Sequence, residues 1–391
     1  MSATSAPDAR RRVMVAMSGG VDSSVAAALC VEAGHDVVGV TLRLWGGESD
    51  SGCCSVSDVE DARRVAHQLD IDHHVFNLAD DFARHVVGPY VAAHAEGRTP
   101  NPCIECNRHL KFDRLLSRAT ALGFDAVATG HHARVVTDAG GVRRVARGAD
   151  AAKDQSYVLY MLRADALGRV TLPVGAMTKD EVRQHARRLG LATASKPDSQ
   201  DVCFITSTAG RRGFLADRIG LHPGRLVDTS GAEVGSVTAV ELVTVGQRRG
   251  LGHAVSGEQR YALDVDVERR TVVVGTADDL EVRTTTVGDV VWSGAPVWEP
   301  GDAQDGAGGG AERGIAGGEV RVQASAHGEP VAATLVPEGD HDVSVRWERP
   351  VRRVAPGQSL AFYVDDPVVG AVVIGGGVAT SPSPGSAPVS G

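Results

Sequence analysis

The first two hundred residues alternate short β-branched runs with longer segments in which apolar residues recur every three or four positions. Short apolar runs predict buried strands, and the longer periodic segments predict amphipathic helices. Strands that alternate with helices form parallel sheets with crossover helices, so we expect residues 12–212 to form a doubly wound α/β domain. The predicted strands are VMVAM, DVVGVTLRL, HHVFNL and FDAVATGHH, and the predicted helices are SSVAAALCVEAGH, DVEDARRVAHQLD, CNRHLKFDRLLSRATALG and TKDEVRQHARRLG.

The pattern changes near residue 213, where short strands separated by Gly-rich turns replace the helices. The segment YALDVDVERRTVVVG predicts a β-hairpin. Residues 213–280 are expected to form a small β-rich central domain, and residues 281–378 a C-terminal β-barrel. Three segments rich in Gly, Ser, Pro or charged residues are expected to lack regular structure: a disordered N-terminus at 1–11, a flexible insertion at 301–318 and a disordered tail at 379–391.

Composition agrees with a multidomain globular protein. At roughly 150 residues per domain, 391 residues suggest two or three domains. The hydrophobic content of 42% and the charged content of 23% are near globular averages. No apolar run approaches the roughly 18 residues of a membrane helix, and the first residues show no export signal. We therefore expect a cytoplasmic protein with no membrane partner.

Charge and cysteine content narrow the chemistry. The formal net charge of −9 argues against non-specific nucleic-acid binding by the whole surface, although a local basic patch could still bind RNA. Six cysteines are too few for a disulfide scaffold in a chain of this length. In a reducing compartment we expect these thiols to be buried, bound to a metal or catalytic.

The segment AMSGGVDSS, residues 16–24, directly follows the first predicted strand and opens the first predicted helix. Its two glycines allow a tight turn, its serines supply hydroxyl groups, and the helix N-terminus attracts negative charge. This arrangement suits a phosphate or pyrophosphate group. The segment has neither a Walker loop nor a Gly-x-Gly-x-x-Gly fingerprint, which argues against ordinary nucleotide hydrolysis and against hydride transfer.

The Ser-Gly-Gly-Val-Asp-Ser run resembles the pyrophosphate loop of the ATP pyrophosphatases. These enzymes convert ATP to AMP and pyrophosphate while they activate an acceptor oxygen. The resemblance implies ATP as cofactor, with Asp22 helping to hold the accompanying Mg²⁺. It does not identify the acceptor, because the superfamily includes both small-molecule ligases and RNA-thiolating enzymes.

A second segment, NPCIECNRHLKF, contains Cys103 and Cys106. Three interpretations are open: a zinc site, a redox disulfide, or a single reactive thiol. Zinc would require further ligands, for which His109, His131 and His132 are candidates, whereas Cys53 and Cys54 are adjacent rather than spaced. A redox disulfide lacks a thioredoxin-like setting.

Cys203, in KPDSQDVCFI, offers Cys106 a distant partner. A cysteine between valine and phenylalanine is commonly a small buried apolar residue. The preceding polar run SKPDSQD is unusual for a core strand, however, and a nearby lysine would favour the nucleophilic thiolate.

Motifs spread over nearly the whole chain resemble those of the bacterial tRNA-specific 2-thiouridylases. Besides the pyrophosphate loop they are GRTPNPCIECNRHLKF, ATGHHARV, KDQSYVLYML, PDSQDVCFI, TVGQRRGLG and VAPGQSLAFY. The resemblance implies an ATP-dependent tRNA-uridine 2-sulfurtransferase that adenylates the C2 oxygen of the wobble uridine (U34) and replaces it with persulfide sulfur. It also implies three partners: tRNA, a persulfide-carrying sulfur donor protein, and a reductant for a transient disulfide.

The resemblance assigns roles to individual residues. Cys106 matches the nucleophile and Cys203 the persulfide carrier, and the two would form the transient disulfide. The positions that match ATP contacts are Ala16, Met17, Ser18, Gly19, Gly20, Val21, Asp22, Ser23, Leu42 and Gly130. The positions that match tRNA contacts are Asn101, Pro102 and Cys103 at the target base, and Lys153, Asp154, Gln155, His131 and Gln358 elsewhere.

Two departures from the family pattern are visible. Position 103 is often Asp in the family, so Cys103 is expected to be a bystander thiol. An Arg-aromatic pair that contacts tRNA near the C-terminus is missing, with Gln323 and Ala324 near its place. Two other classes of function fit the sequence less well. A small-molecule adenylating ligase would not need paired thiols or a β-rich C-terminal region, and a non-catalytic metal- or RNA-binding module would not need the pyrophosphate loop.

Overall fold

The computed structural model describes residues 10–45, 55–198, 202–205, 210–254, 257–294, 298–300, 313–315, 320–338 and 341–380. Cys53 and Cys54, most of the predicted insertion and nearly all of the two predicted disordered ends lie outside these residues. No helix in the described ranges is long and apolar enough to cross a membrane. The chain divides into two compact units: Met1–Val86 with Cys103–Thr206 and Val368–Gly370, and Val87–Pro102 with Ser207–Pro367 and Ala371–Gly391.

The first unit is built on a parallel sheet. Its strands are β1 (Arg12–Ala16), β2 (Asp36–Arg43), β3 (Asp72–Asn77), β4 (Ala126–Thr129), β5 (Ala133–Thr137), β6 (Arg143–Arg147) and β7 (Val170–Thr171). Of these, β5 and β6 form an antiparallel hairpin. The sheet order is β3-β2-β1-β4-β7, with every pair parallel. After β3 the chain crosses to the other side of β1, so the carboxyl ends of β1 and β4 flank the switch point where such sheets bind ligands.

Helices follow the strands, as the periodicity predicts. They are α1 (Val21–Glu32), α2 (Val56–Gln68), α3 (Ala79–Phe82), α4 (Gly88–Ala95), α5 (Pro102–Glu105), α6 (Leu115–Ala121), α7 (Ala164–Leu167), α8 (Lys179–Arg188) and α9 (Gly210–Ala216). Short 3₁₀ turns occupy Ser156–Leu159, Pro173–Ala176, Val240–Leu242 and Asp278–Leu280. Ser55 and Thr178 begin α2 and α8 with capping boxes, which satisfy backbone N–H groups that a helix start leaves free. Apolar faces of α1, α2 and α8 pack with the sheet in one core that includes Val15, Val25 and Ala128.

Two features of this unit differ from the sequence prediction. The predicted helix CNRHLKFDRLLSRATALG forms, but Cys106–Arg114 is wound as a π-helix between α5 and α6. A second π-helical stretch, Ala83–Val87, lies between α3 and α4. The hairpin of β5 and β6 stands where the sequence predicted only a polar loop after FDAVATGHH. Wide π turns in helices are uncommon and are often found at functional sites.

The second unit contains the central β-rich region. Its strands are β8 (Gly224–Val227), β9 (Glu233–Val237), β10 (Tyr261–Asp266) and β11 (Thr271–Gly275). Their order is β10-β11-β8-β9, and the antiparallel pairing of β10 with β11 confirms the predicted hairpin. A small core that includes Leu226, Leu251 and Val272 stabilises this sheet.

The C-terminal strands close into a six-stranded barrel. The strands that follow β11 are β12 (Glu281–Trp292), β13 (Trp298–Pro300), β14 (Arg313–Ile315), β15 (Val320–Gln323), β16 (Val331–Glu338), β17 (Asp342–Arg352), β18 (Ser359–Asp366) and β19 (Gly370–Ala379). The barrel order is β12-β17-β16-β15-β18-β19, and pairing of β12 with β19 closes the ring. The predicted fold class is thereby confirmed. The separate pair of β13 and β14 places three strand residues inside the predicted flexible insertion.

Candidate nucleotide and thiol site

The Gly-rich loop begins where β1 ends, at Ala16. Immediately after it, the Met17 amide donates to the Val40 carbonyl at 2.8 Å, and the Met17 carbonyl accepts from Thr41 Oγ1 at 2.8 Å. Leu42 is buried one residue further along β2. These bonds fix the start of the loop to β2, so the turn that follows projects from a rigid base.

The turn itself depends on glycine. Gly19 has a φ of +72°, and a Cβ atom there would lie 2.3 Å from the Asp58 carbonyl oxygen, so no other residue fits. The Ser18 amide donates to Ser23 Oγ at 3.1 Å, and Gly20 caps α1. The loop therefore folds over the N-terminus of α1, where backbone N–H groups and the helix dipole favour a phosphate.

Gly130 brings the end of β4 against the same helix start. A Cβ atom on Gly130 would lie 2.6 Å from the Ser23 nitrogen and 2.7 Å from the Asp22 carbonyl carbon. Val21, the first residue of α1, is buried beneath the loop. The predicted ATP contacts in the loop and Gly130 are thus brought together at the switch point between β1 and β4.

Asp22 is the centre of an ion-pair network with His132 and Lys179, and sequence reasoning assigned Lys179 no role. His132 Nε2 lies 3.0 Å from one carboxylate oxygen, and Lys179 Nζ lies 2.7 Å from both. Burial raises the pKa of Asp22, but the hydrogen bonds from His132 and Lys179 more than offset that effect and leave the pKa below its ordinary value. From the sequence, His132 is a candidate zinc ligand and a member of the ATGHHARV motif, and neither predicts its contact with Asp22.

Lys179 also reaches Asp198, which lies five residues before Cys203. Its Nζ atom is 2.9 Å from Asp198 Oδ1, while Lys153 Nζ and Arg183 Nη2 each donate to Asp198 at 2.8 Å. Burial raises the pKa of Asp198, but hydrogen bonds from Lys153 and Lys179 lower it far more. Lys179 therefore links the nucleotide loop to the base of the segment that carries Cys203.

Asp154 and Gln155, the predicted tRNA contacts that follow Lys153 in the chain, form hydrogen bonds within the protein. The Asp154 carboxylate accepts from Arg147 Nη1 at 2.7 Å, from the Gly148 amide at 2.9 Å and from Ser156 Oγ at 2.8 Å. Gln155 Oε1 accepts from the amide of His132 at 2.9 Å. The side chains of Asp154 and Gln155 are thus turned towards the backbone around the site.

His131 is buried. Its Nδ1 atom lies 2.7 Å from Thr129 Oγ1, and its ring centre is 5.9 Å from that of Phe112. Burial, with the nearby charges of Lys111 and His132, lowers the pKa of His131 well below its ordinary value. Among the described residues, no group of three His, Cys, Asp or Glu side chains could hold a metal ion, so the zinc interpretation finds no support there.

The three cysteines singled out from the sequence are in the reduced form. Cys106 is buried at the first residue of the π-helix, whereas Cys103 and Cys203 are partly exposed. A Cys103–Cys106 disulfide is therefore not formed. Phe204, next to Cys203, packs on Phe82 with ring centres 5.6 Å apart, which anchors the end of this segment in the aromatic core.

In the second unit, residues 97–101, here called the strap, lead into the predicted base-contacting positions. The Thr99 amide donates to the Pro356 carbonyl at 2.8 Å, and Gln358 Nε2 donates to the Thr99 carbonyl. Gly357, with a φ of +91°, allows this close approach because a Cβ atom there would lie 3.1 Å from Thr99. Gln358 therefore holds the backbone two residues before Asn101.

Gln323 lies near the position where the family pattern has an Arg-aromatic pair. Gln323, the last residue of β15, is buried, and its Nε2 atom donates to the Ser325 carbonyl at 2.8 Å and the Ala326 carbonyl at 3.2 Å. Its amide closes the turn after the strand. Gln323 thus has a structural use in the barrel.

A parallel sheet with a Gly-rich loop at its switch point defines a nucleotide-binding domain of the HUP class. Residues 11–207 match the family model described as tRNA methyl transferase HUP domain. Residues 212–276 match the tRNA methyl transferase PRC-barrel domain, and residues 311–378 match the aminomethyltransferase β-barrel domain.

Curated relatives identify the family within that class. A tRNA-specific 2-thiouridylase MnmA of Kineococcus radiotolerans is 47% identical, over 93% of this chain and 98% of its own length. The enzyme of the same name from Acidothermus cellulolyticus is 46% identical, over 93% of this chain and 97% of its own. The chain belongs to the tRNA-specific 2-thiouridylase family, which confirms the resemblance drawn from the motifs. A solved complex of a 4-thiouridine synthetase with RNA and ATP is 19% identical, covers 49% of this chain and 44% of that one, and has a TM-score of 0.33.

Proposed function

We propose that this chain is an ATP-dependent tRNA-uridine 2-sulfurtransferase that replaces the C2 oxygen of the wobble uridine with sulfur. Its family supports tRNA as the substrate. The observation that carries the proposal is the Lys179 bridge, which ties Asp22 of the phosphate-binding loop to Asp198, five residues before Cys203 in the chain. A phosphate-binding loop and a sulfur carrier in one unit are what this reaction requires.

The first step makes the C2 oxygen a leaving group. A uracil carbonyl is a poor electrophile, so the oxygen attacks the α-phosphorus of ATP and pyrophosphate leaves. The loop at Ser18, Gly19 and Gly20 and the N-terminus of α1 would stabilise the charge that develops on the pyrophosphate.

Mg²⁺ fits the same site. It is commonly held by one or two carboxylates together with substrate phosphates, and Asp22 presents such a carboxylate beside the loop. Lys179, which now occupies both oxygens of Asp22, would keep Asp198 as its partner when Asp22 turns to the ion. Asp22, oriented by His132, would hold the ion, and the chemistry supplied there would be neutralisation of phosphate charge.

The second step delivers sulfur. A donor protein transfers sulfane sulfur to Cys203, which forms a persulfide. The thiolate of Cys106 attacks Sγ of Cys203, and the terminal sulfur either leaves as hydrosulfide that attacks C2 or has already bonded to C2. In both routes AMP departs with the former C2 oxygen, a Cys106–Cys203 disulfide forms, and a thiol reductant returns two electrons to reopen it.

The target base must leave the anticodon loop to reach these thiols. Single-stranded loop bases can be splayed out at lower cost than paired bases. We propose that Asn101, Pro102 and Cys103 receive the base at the end of the strap. Gln358 would act by holding the strap, and His131, which is neutral, would support the pocket without adding charge.

The test is nucleoside mass spectrometry of tRNA from cells whose only copy of this gene carries a variant. Cys106→Ser and Cys203→Ser should each abolish 2-thiouridine. Cys30→Ala is the matched control, because Cys30 is a buried core thiol of the same unit, and it should leave the modification intact. A normal level of 2-thiouridine with Cys203→Ser would refute the mechanism. Purified protein with ATP, Mg²⁺, a persulfide donor and unmodified tRNA should reproduce the result.

A further inference from the structure

The motif TVGQRRGLG, residues 244–252, has no role in the reaction described above. It forms a tight turn in the second unit, called here the Gln-Arg-Arg turn. Gly246, Gly250 and Gly252 have φ values of +84°, +81° and +71°, a conformation that other residues rarely adopt. The turn therefore has a defined shape set by its glycines.

Contacts at both ends hold the Gln-Arg-Arg turn in place. The Gly246 amide donates to the Ala262 carbonyl at 2.8 Å, and the Ala262 amide donates to the Gln247 carbonyl at 2.9 Å. Within the turn, Gln247 Nε2 donates to the Arg249 carbonyl at 2.9 Å. Leu251, only 1% exposed, anchors the far end in the core of the central sheet. A turn braced in this way presents its outermost side chains with little loss of backbone entropy on binding.

Those outermost side chains are arginines, and a neighbouring helix adds two more. Arg211 on α9 donates to the Leu242 carbonyl at 2.8 Å, and its other terminal nitrogen lies 3.5 Å from Thr244 Oγ1, so α9 packs beside the turn. We call the four residues the arginine patch: Arg211, Arg212, Arg248 and Arg249. No ion pair neutralises any of the four within the part of the chain that the structure describes. In a chain of net charge −9, this leaves a local positive surface.

The arginine patch adjoins the strap. Thr244, the first residue of the turn, accepts a hydrogen bond at 3.3 Å from the hydroxyl of Thr99. Thr99 lies two residues before Asn101, where the base is proposed to bind. A positive surface at this distance along the strap would meet the backbone of an RNA whose base occupies that position.

We propose that the arginine patch binds phosphates of the tRNA next to the extruded base. This inference rests on the proposed function, since it takes tRNA as the ligand. The planar guanidinium group donates two parallel hydrogen bonds to a phosphate, which fixes position as well as supplying charge. The contacts would set the register of the RNA and carry no base specificity.

The test measures tRNA binding and its dependence on salt with the full chain. The double variant Arg248→Gln/Arg249→Gln removes the two exposed charges of the turn. With a slope change of about 0.9 per lost phosphate contact, its binding defect should be about tenfold larger at about 50 mM than at about 200 mM salt. The KM for tRNA should rise while kcat at saturating tRNA stays unchanged. Arg248→Lys/Arg249→Lys should keep most of the wild-type salt slope, because the charges remain.

Arg269→Gln/Arg270→Gln is the matched control, because it removes two adjacent arginines from the turn between β10 and β11 of the same unit. It should bind tRNA like the wild type. An unchanged salt slope in the Arg248/Arg249 double variant, or an equal loss in the control, would overturn the inference while the wild type still thiolates tRNA. A wild type that binds tRNA with the expected arginine dependence but forms no 2-thiouridine would instead refute the proposed reaction alone. A wild type that does not bind tRNA would overturn both.

Discussion

Lys179→Met should distinguish an effect on ATP binding from an effect on folding better than any substitution in the Gly-rich loop. Lys179 Nζ lies 2.7 Å from both oxygens of Asp22 and 2.9 Å from Asp198. Methionine keeps most of the apolar stem and the helical propensity but removes the charge. The change thus leaves the Gly-rich loop intact and deletes the link between the two carboxylates.

The expected loss of stability is moderate. A hydrogen bond to a charged group contributes roughly 1.5 to 3 kcal/mol. The Asp22 and Asp198 side chains are 30% and 35% exposed, so water screens part of this interaction. Asp22 also keeps His132, and Asp198 keeps Lys153. We expect the free energy of unfolding to fall by about 2 kcal/mol.

The expected effect on ATP is larger. One positive charge about 6 Å from a phosphate contributes roughly 3 kcal/mol at an effective dielectric constant of about 20. Removal of that charge also leaves the negative charge of Asp22 less compensated. The KM for ATP should therefore rise about 10- to 100-fold, as measured by pyrophosphate release at saturating tRNA.

The control is an ion pair in the same unit but outside the loop. Arg144 Nε lies 2.7 Å from Asp138, and both side chains are largely buried. Arg144→Met should lower the free energy of unfolding to a similar extent without changing the KM for ATP. If Lys179→Met lost stability but kept a wild-type KM for ATP, Lys179 would have only a structural role and the reasoning would be refuted.

Three further predictions test other parts of the site and fold. Cys103→Ser should retain most of the 2-thiouridine activity measured by nucleoside mass spectrometry. Loss of activity accompanied by loss of stoichiometric zinc would instead restore the metal interpretation. Gly130→Ala should weaken ATP binding in calorimetry and cost about 1 to 3 kcal/mol of stability, because the new methyl group would lie 2.6 Å from the Ser23 nitrogen. Burial, aided by the charge of Arg211, lowers the pKa of His94 to about 4. The unfolded chain therefore binds the extra proton first, and stability should be lost as pH falls from about 6.5 to about 4. His94→Gln should flatten that part of the pH profile in urea unfolding, and an unchanged profile would contradict the assignment.

Local patterns were sufficient for several elements of the two units. Thr178 and Glu181 form the capping box that starts α8, and the alternation in YALDVDVERRTVVVG is that of the hairpin observed. The hairpin of β5 and β6 was missed although its signal was present: Gly140 and Gly141 separate two β-branched runs.

Other features depend on contacts that no local pattern encodes. Lys179 meets Asp22 across 157 residues, and the sequence around Lys179 predicts only an amphipathic helix. The π-helical winding at Cys106 has the same apolar periodicity as an ordinary helix over so short a stretch, so it could not be distinguished. The sequence could nominate Cys106 and Asp22 by resemblance, but the residues that position them come from tertiary structure.

The bonds that hold the strap have a consequence for biosynthesis. Gln358 follows Thr99 by 259 residues, so the strap is synthesised long before Gln358, which holds it in the folded protein. At roughly 5 to 20 residues per second, that interval is about 13 to 52 s. A nascent chain can complete its parallel sheet during this time, but the segment before Asn101 has no partner in the C-terminal barrel. The nascent chain should thus be unable to act on tRNA until translation is nearly complete.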